Sequence, residues 1–160
     1  MNQKLKKLTL IMIVKQAERQ VLLGMKKRGF GEGWWNGFGG KVQEGESIAE
    51  CAKRETQEEC GLVMEEYYQI GHMLFEFVGD PVLLDVTVFR CDKYSGAVTE
   101  SEEMRPKWFS FDEVPFDKMW PDDKLWYPLL FKNQKFKADY LFEGHHKILR
   151  ENIVHVDQFD

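Results

Sequence analysis

Glu55, Glu58 and Glu59 stand at i, i+3 and i+4 within GGKVQEGESIAECAKRETQEECG, residues 39 to 61, with Arg54 beside them. On one helix these carboxylates share a side, and like charges at that spacing repel. Clustered oxygen donors are what a hard divalent cation such as Mg²⁺ prefers, and Mg²⁺ tends to keep waters and substrate phosphates in its other positions. The expected chemistry is a metal held by the glutamates and a polyphosphate held by the metal. Any one of these glutamates alone would read as a solvated helix face. Arg54 is suited to orient a carboxylate through a bidentate pair. Gly39 and Gly40 let the backbone come close to metal or phosphate.

The elements that must position these residues are legible around them. Leu8 to Val14 and Val21 to Lys27 read as strands joined by a polar hairpin loop. Residues 28 to 45, with seven glycines, form a long loop. Ser47 and Glu50 make a capping box that opens a helix running to about Cys60, and Gly61 ends it. Ala49, Ala52, Thr56 and Cys60 give that helix one small face for close packing on a sheet. Tyr68 to Val78 and Val82 to Cys91 read as strands joined by a tight turn, and Lys107 to Phe111 as a shorter one. Asp122 to Lys132 is helical in pattern, with Pro128 expected to kink or restart it. Phe136 to Phe142 and Ile148 to Val156 close the chain as strands. The sum is an α/β (α+β) domain, mostly antiparallel, with helices on its faces.

At 160 residues the chain is expected to form one domain, 1–160. No apolar run reaches the roughly 20 residues of a membrane span, and the N-terminal stretch reads as a surface tail leading into a strand. The cysteines, Cys51, Cys60 and Cys91, are odd in number and form no CxxC pair, which favours a reducing, cytosolic compartment. A mitochondrial or nuclear fraction is left open. The formal net charge of −5 argues against a nucleic-acid polymer or a membrane surface as partner. A monomer acting on a small molecule is expected.

Gly40, Glu46 and the run Arg54-Glu55-Thr56-Gln57-Glu58-Glu59-Cys60-Gly61-Leu62 resemble the box of the Nudix hydrolase family, here residues 40–62. The match covers each charged position and both glycines; its departure is Thr56, where an aliphatic residue is usual. The resemblance implies a mixed sheet sandwiched between helices, and hydrolysis of a nucleoside diphosphate linked to another group. It implies Mg²⁺ as cofactor, with Gly40, Glu55, Glu58 and Glu59 as its ligands. Glu59, then Glu58, is the candidate base.

Outside the box, three stretches, 24 to 41, 73 to 81 and 102 to 130, resemble members of the same family that clear oxidised purine nucleoside triphosphates. By that likeness Asn36, Asp122 and Asp123 bond the base, Trp120 and Pro121 lie against it, and Phe30, Phe75, Met104 and Trp126 wall the pocket. Thr9 and Lys26 line its entrance; Phe38, Gly39, Gly40 and Lys41 complete the binding set; Glu103 is an additional metal ligand. The substrates implied are 8-oxo-dGTP, 2-hydroxy-dATP and related purines.

Other readings stand beside these. WPDD is equally a helix start with an Asp cap. Two adjacent buried carboxyls would not both ionise, so one could donate a proton to a base edge. Phe75 and Trp126 read equally as core, Lys26 as a solvated strand residue, Asn36 as a turn former. Trp34 has no assigned role, and His145 and His146 belong to a turn. Another nucleoside diphosphate derivative, or a nucleotide-binding module without hydrolysis, is the alternative function.

Overall fold

The computed structural model describes residues 4–159; Met1 to Gln3 of the expected tail, and Asp160, lie outside the described residues. From Lys4 the chain is already strand: β1 (Lys4–Lys15) turns into β2 (Gln20–Lys26) as an antiparallel hairpin. The glycine-rich loop holds a two-residue strand, β3 (Trp35–Asn36), on β2, and touches β1 through Ile11↔Phe38 and Leu8↔Lys41.

Helix α1 (Ile48–Cys60) begins at Ser47, whose side chain accepts from Glu50 N while the Glu50 carboxylate accepts from Ser47 N, both at 3.0 Å. It ends at Gly61, held at φ 81°, whose N–H reaches Gln57 O. Its buried face is Cys51, Ala52, Thr56 and Cys60. Cys51 thus takes the place expected for Ala49, which is only half-buried. Thr56 fits its buried position by donating its hydroxyl to Ala52 O at 2.8 Å, the usual way a helical threonine is satisfied.

Strands β4 (Val63–Phe77) and β5 (Val82–Ser95) extend beyond the apolar runs that mark them in the sequence. Register irregularities between Met64 and Tyr67 let the polar start of β4 stay paired. β6 (Met104–Ser110) starts before Pro106, which pairs with Gly24 on a strand that lies outside the main path, where a missing N–H is tolerated. Helix α2 (Asp123–Phe131) runs through Pro128 without a restart, because the carbonyl that loses its donor belongs to the exposed residue Lys124. β7 (Phe136–Glu143) and β8 (Lys147–His155) form the last hairpin.

The strand order is β3-β2-β1-β5-β4-β7-β8, with β6 on β2. β1 runs parallel to β5 and β4 parallel to β7, while the other pairs are antiparallel. Alternation along β1 divides the core. Ile11 and Ile13 pack with Ala52 and Cys60 of α1, and Met12 and Val14 pack with Trp126, Tyr127 and Leu130 of α2. A helix therefore covers each face, as the pattern predicts.

One buried charge fixes α2 to the sheet. Arg90 of β5, 2% exposed, donates to Leu130 O at 2.7 Å, to Gln16 Oε1 at 2.8 Å and to Asp92 Oδ1 at 2.8 Å. Replacing it removes the side-chain donor to the last turn of α2 and leaves the Leu130 carbonyl with the Asn133 N–H at 3.0 Å. Arg90→Ala is expected to lower the unfolding free energy by about 2–4 kcal/mol, read from urea midpoints. A midpoint equal to wild type would mean that α2 is held by its apolar face alone.

Candidate active site

Gly39 and Gly40 bring the loop directly onto β1 and α1. Gly40 O accepts from Thr9 N at 2.9 Å, and Gly39 N donates to Glu59 Oε1 at 2.8 Å. A side chain on Gly40 would stand 2.6 Å from Glu55 Oε1. Arg54 forms the bidentate pair expected of it, with Glu46 at 2.6 and 3.0 Å, and also reaches Glu55 at 2.9 Å and Glu58 at 3.3 Å. That hydrogen bonding, with the Gln43 N–H, holds the Glu46 carboxyl down at about 2.

The three helix carboxylates do not converge in this structure. Among the described residues no three acidic, histidine or cysteine side chains are gathered to enclose a cation. The reason is local: Arg54 takes up Glu55 and Glu58, and Gly39 takes up Glu59. Glu103 is also engaged elsewhere, accepting from Arg28 at 2.7 and 3.0 Å. The donor set nevertheless fits a hard cation. Burial pushes Glu59 up to about 7, against the Gly39 N–H, and the charges of Glu55 and Glu103 add to the shift while Lys26 opposes it. A carboxyl removed from water in this way is one that a bound cation would relieve.

Glu59 opens into a cleft of about 840 Å³ that runs from Gly39 and Gly40 to the start of α2. Thr9, Lys26, Asn36, Phe75, Met104 and Trp120 line it, as do Phe30, Asp122 and Asp123. With Gly39 and Gly40 these are eleven of the fifteen residues expected to bind substrate, and they come from separate strands and loops. The Thr9 hydroxyl itself turns towards Gly40 O at 3.4 Å and the Cys51 thiol at 3.4 Å. Asn36 Oδ1 accepts from Gly37 N at 2.8 Å, so it serves a turn as well as the wall.

Four expected contacts are absent from the lining. Trp126 is fully buried, stacked on Phe136, and reaches the site only by donating its indole N–H to Asp122 Oδ2 at 3.0 Å. Phe38 is fully buried on the α1 side, because the loop's bridge to Ile11 turns its ring away from the cleft. Lys41 is exposed on the outer side of β1, and Pro121 is half-buried behind Trp120 in the chain. The cleft also has walls that the sequence reading passed over: Leu8 and Leu10 from the even-numbered side of β1, Met73 and Phe77 from β4, Phe142 from β7, and Trp34 and His145 at its mouth. Strand alternation marks the first five as one-sided, but not as facing a cleft.

The floor is the acid pair. Asp122 is the residue that opens α2, but its side chain makes no helix-capping bond. Asp122 and Asp123 are 3% and 2% exposed, and Asp123 Oδ2 and the Tyr127 hydroxyl are, among the described residues, the buried side-chain polar atoms without a partner. Burial pushes Asp122 up to about 6; burial and then the Asp122 charge push Asp123 higher still. Asp122, steadied by the Trp126 N–H, is the member that ionises, and Asp123 keeps its proton. Because both folded values lie above the ordinary carboxyl value, the pair favours the folded state at low pH. That contribution is lost as pH rises from about 4, through about 6 for Asp122 and further up for Asp123. Asp123→Asn is therefore expected to stabilise the protein at pH 8 by on the order of 1–3 kcal/mol and to leave it unchanged at pH 4. Equal effects at both pH values in thermal unfolding would mean that the pair does not share a proton.

Comparison with known proteins places this geometry. A model of the NUDIX domain matches residues 5–130. The chain is 53% identical over 149 residues to the oxidized purine nucleoside triphosphate hydrolase of Mus musculus, covering 93% of this chain and 95% of that protein. It is 49% identical over 152 residues to the protein of the same name from Danio rerio, covering 95% and 96%. A MutT protein from Bacillus halodurans has a similar structure, with a TM-score of 0.81 at 25% identity over 92% of this chain and 97% of that one. A helix bearing Arg54, Glu55, Glu58 and Glu59 behind a loop that reaches β1, matched over most of its length by this model and these relatives, makes the chain a member of the Nudix family.

Proposed function

We propose that the protein hydrolyses oxidised purine nucleoside triphosphates, 8-oxo-dGTP and 2-hydroxy-dATP among them, to the monophosphate and pyrophosphate, and so keeps damaged purines out of the nucleotide pool. One observation carries this reading: a single cleft holds Glu59 at one end and, on its floor, an acid pair with an unpartnered buried oxygen. The names of the mouse and zebrafish relatives support it.

Mg²⁺ is the proposed cation, held by Glu55, Glu58 and Glu59, with Glu103 as a further ligand once it leaves Arg28. When bound, it supplies neutralisation of phosphate charge and a more acidic water. The chain's own groups do the rest. Glu59, or Glu58 as second choice, takes a proton from the attacking water, whose oxygen bonds to a phosphorus of the α–β bridge. The bridging P–O bond breaks, and monophosphate and pyrophosphate separate, the attacked one carrying the water oxygen and the other the bridging oxygen. Lys26 faces the phosphates from β2, and Arg54 keeps Glu46, Glu55 and Glu58 in register. Asn36, Asp122 and Asp123 bond the base edge, and Trp120 and Phe30 lie on its face. Protonated Asp123 donates while Asp122 accepts; moving the proton reverses the pattern, so one floor reads different oxidised edges.

A small nucleotide is the proposed partner of a monomeric enzyme. Three free, buried thiols support the reducing cytosol as its compartment.

The test is pyrophosphate release with Mg²⁺ from 8-oxo-dGTP, 2-hydroxy-dATP and dGTP, with ADP-ribose and diadenosine tetraphosphate followed by product analysis. The two oxidised purines are expected to exceed dGTP in kcat/KM by tenfold or more, about 1.4 kcal/mol of discrimination. Preference for either of the last two compounds would overturn the base-reading role of the acid pair.

A further inference from the structure

Rings from three separate segments close the mouth of the cleft. Phe30 and Trp34 come from the stretch after β2, Trp120 from the stretch before α2, and His145 and His146 from the β7–β8 turn. Trp120 is the hub. Phe30 stacks on it at 5.4 Å and 21°, Trp34 at 5.5 Å and 28°, and His146 at 6.0 Å and 15°, while His145 meets it edge-on at 6.1 Å. The two histidines also tie the outer rings: His146 stacks on Trp34 at 5.1 Å, and His145 meets Phe30 edge-on at 4.9 Å. Phe30, Trp34, Trp120 and His145 line the cleft, whereas His146 does not.

Phe30 is 66% exposed, so burial does little to hold its ring. What orders it is stacking on Trp120 and the edge of His145. The geometry points to a positioning role: we propose that His145 and His146 hold Trp120, Trp34 and Phe30 in the one arrangement on which the substrate base stacks. A flat base gains its stacking contact in full only if the wall is already in place, because ordering mobile rings at the moment of binding subtracts from affinity. The β7–β8 turn therefore contributes to recognition without touching the phosphates or the acid floor. The inference rests on the proposed reading of the cleft as a purine nucleotide site.

A merely structural role for the turn would lower stability or affect all substrates alike; a positioning role acts through the base. The measurements are the Kd of 8-oxo-dGMP by calorimetry, and kcat and KM for 8-oxo-dGTP and for deoxyribose 5-triphosphate lacking a base. They are made on the wild type, the double variant His145→Ala with His146→Ala, and the double variant His145→Phe with His146→Phe. The alanine variant is expected to raise Kd and KM for the oxidised purine about three- to tenfold with kcat held, as loss of one or two ring pairs implies. The baseless substrate should be unaffected, and the phenylalanine variant should recover most of the loss. Unchanged Kd in the alanine variant, an equal loss on the baseless substrate, or no recovery with phenylalanine would each overturn the inference. A wild type that binds no oxidised purine nucleotide overturns the functional reading and this inference together, whereas tight binding by both wild type and alanine variant removes the clasp alone.

Discussion

A side chain on Gly39 would overlap the carbonyl of Thr9, and one on Gly40 would collide with Glu55, so the loop before α1 lies as bare backbone against both the strand and the helix. The rest of the site depends on this close approach. It sets the Gly39 N–H on Glu59 and the Gly40 carbonyl on β1, and thereby fixes α1 relative to the cleft. It also keeps Glu59 largely out of water, and that desolvation lifts its carboxyl. The Gly39 N–H thus sets where Glu59 is and partly offsets the lift that burial gives its carboxyl.

The charge arrangement along α1 follows from that constraint. A single guanidinium, Arg54, serves Glu46, Glu55 and Glu58, while Glu59 receives a backbone N–H instead. The helix is thus left with more negative charge than it neutralises, on the side that faces the loop. A repulsion that would be a small destabilisation on an ordinary surface helix is one that the proposed cation would relieve. At the far end of the cleft the opposite solution holds. Asp122 and Asp123 are relieved by retaining a proton, because apolar neighbours such as Trp126 and Tyr127 leave no room for a counter-charge.

How much of this was legible in the sequence depended on the range of the interactions involved. The capping box at Ser47, the glycine stop at Gly61 and the shared side of Glu55, Glu58 and Glu59 are set by residues within four positions of one another, and all stand where the spacing puts them. The adjacency of Asp122 and Asp123 is plain in the sequence, but their burial depends on long-range packing. Phe38 is core instead of wall, and Trp126 stood between the two readings, for a related reason. An aromatic ring near a site is core or wall according to which face of a tertiary sheet it meets, and that is not encoded in its neighbours. The parallel pairings of β1 with β5 and of β4 with β7 are likewise long-range. They bring the β7–β8 turn to the cleft mouth, where two turn histidines meet rings more than a hundred residues away.

The central claim is that Glu59 does chemistry on a substrate that the other end of the cleft recognises independently. It is tested most directly by comparing Glu59→Gln with wild type in two assays, turnover of 8-oxo-dGTP with Mg²⁺ and calorimetric binding of 8-oxo-dGMP. The account predicts a fall in kcat of about 10²–10⁴, the usual contribution of a positioned general base, with Kd within about twofold of wild type. Turnover close to wild type, or binding lost together with turnover, would contradict it.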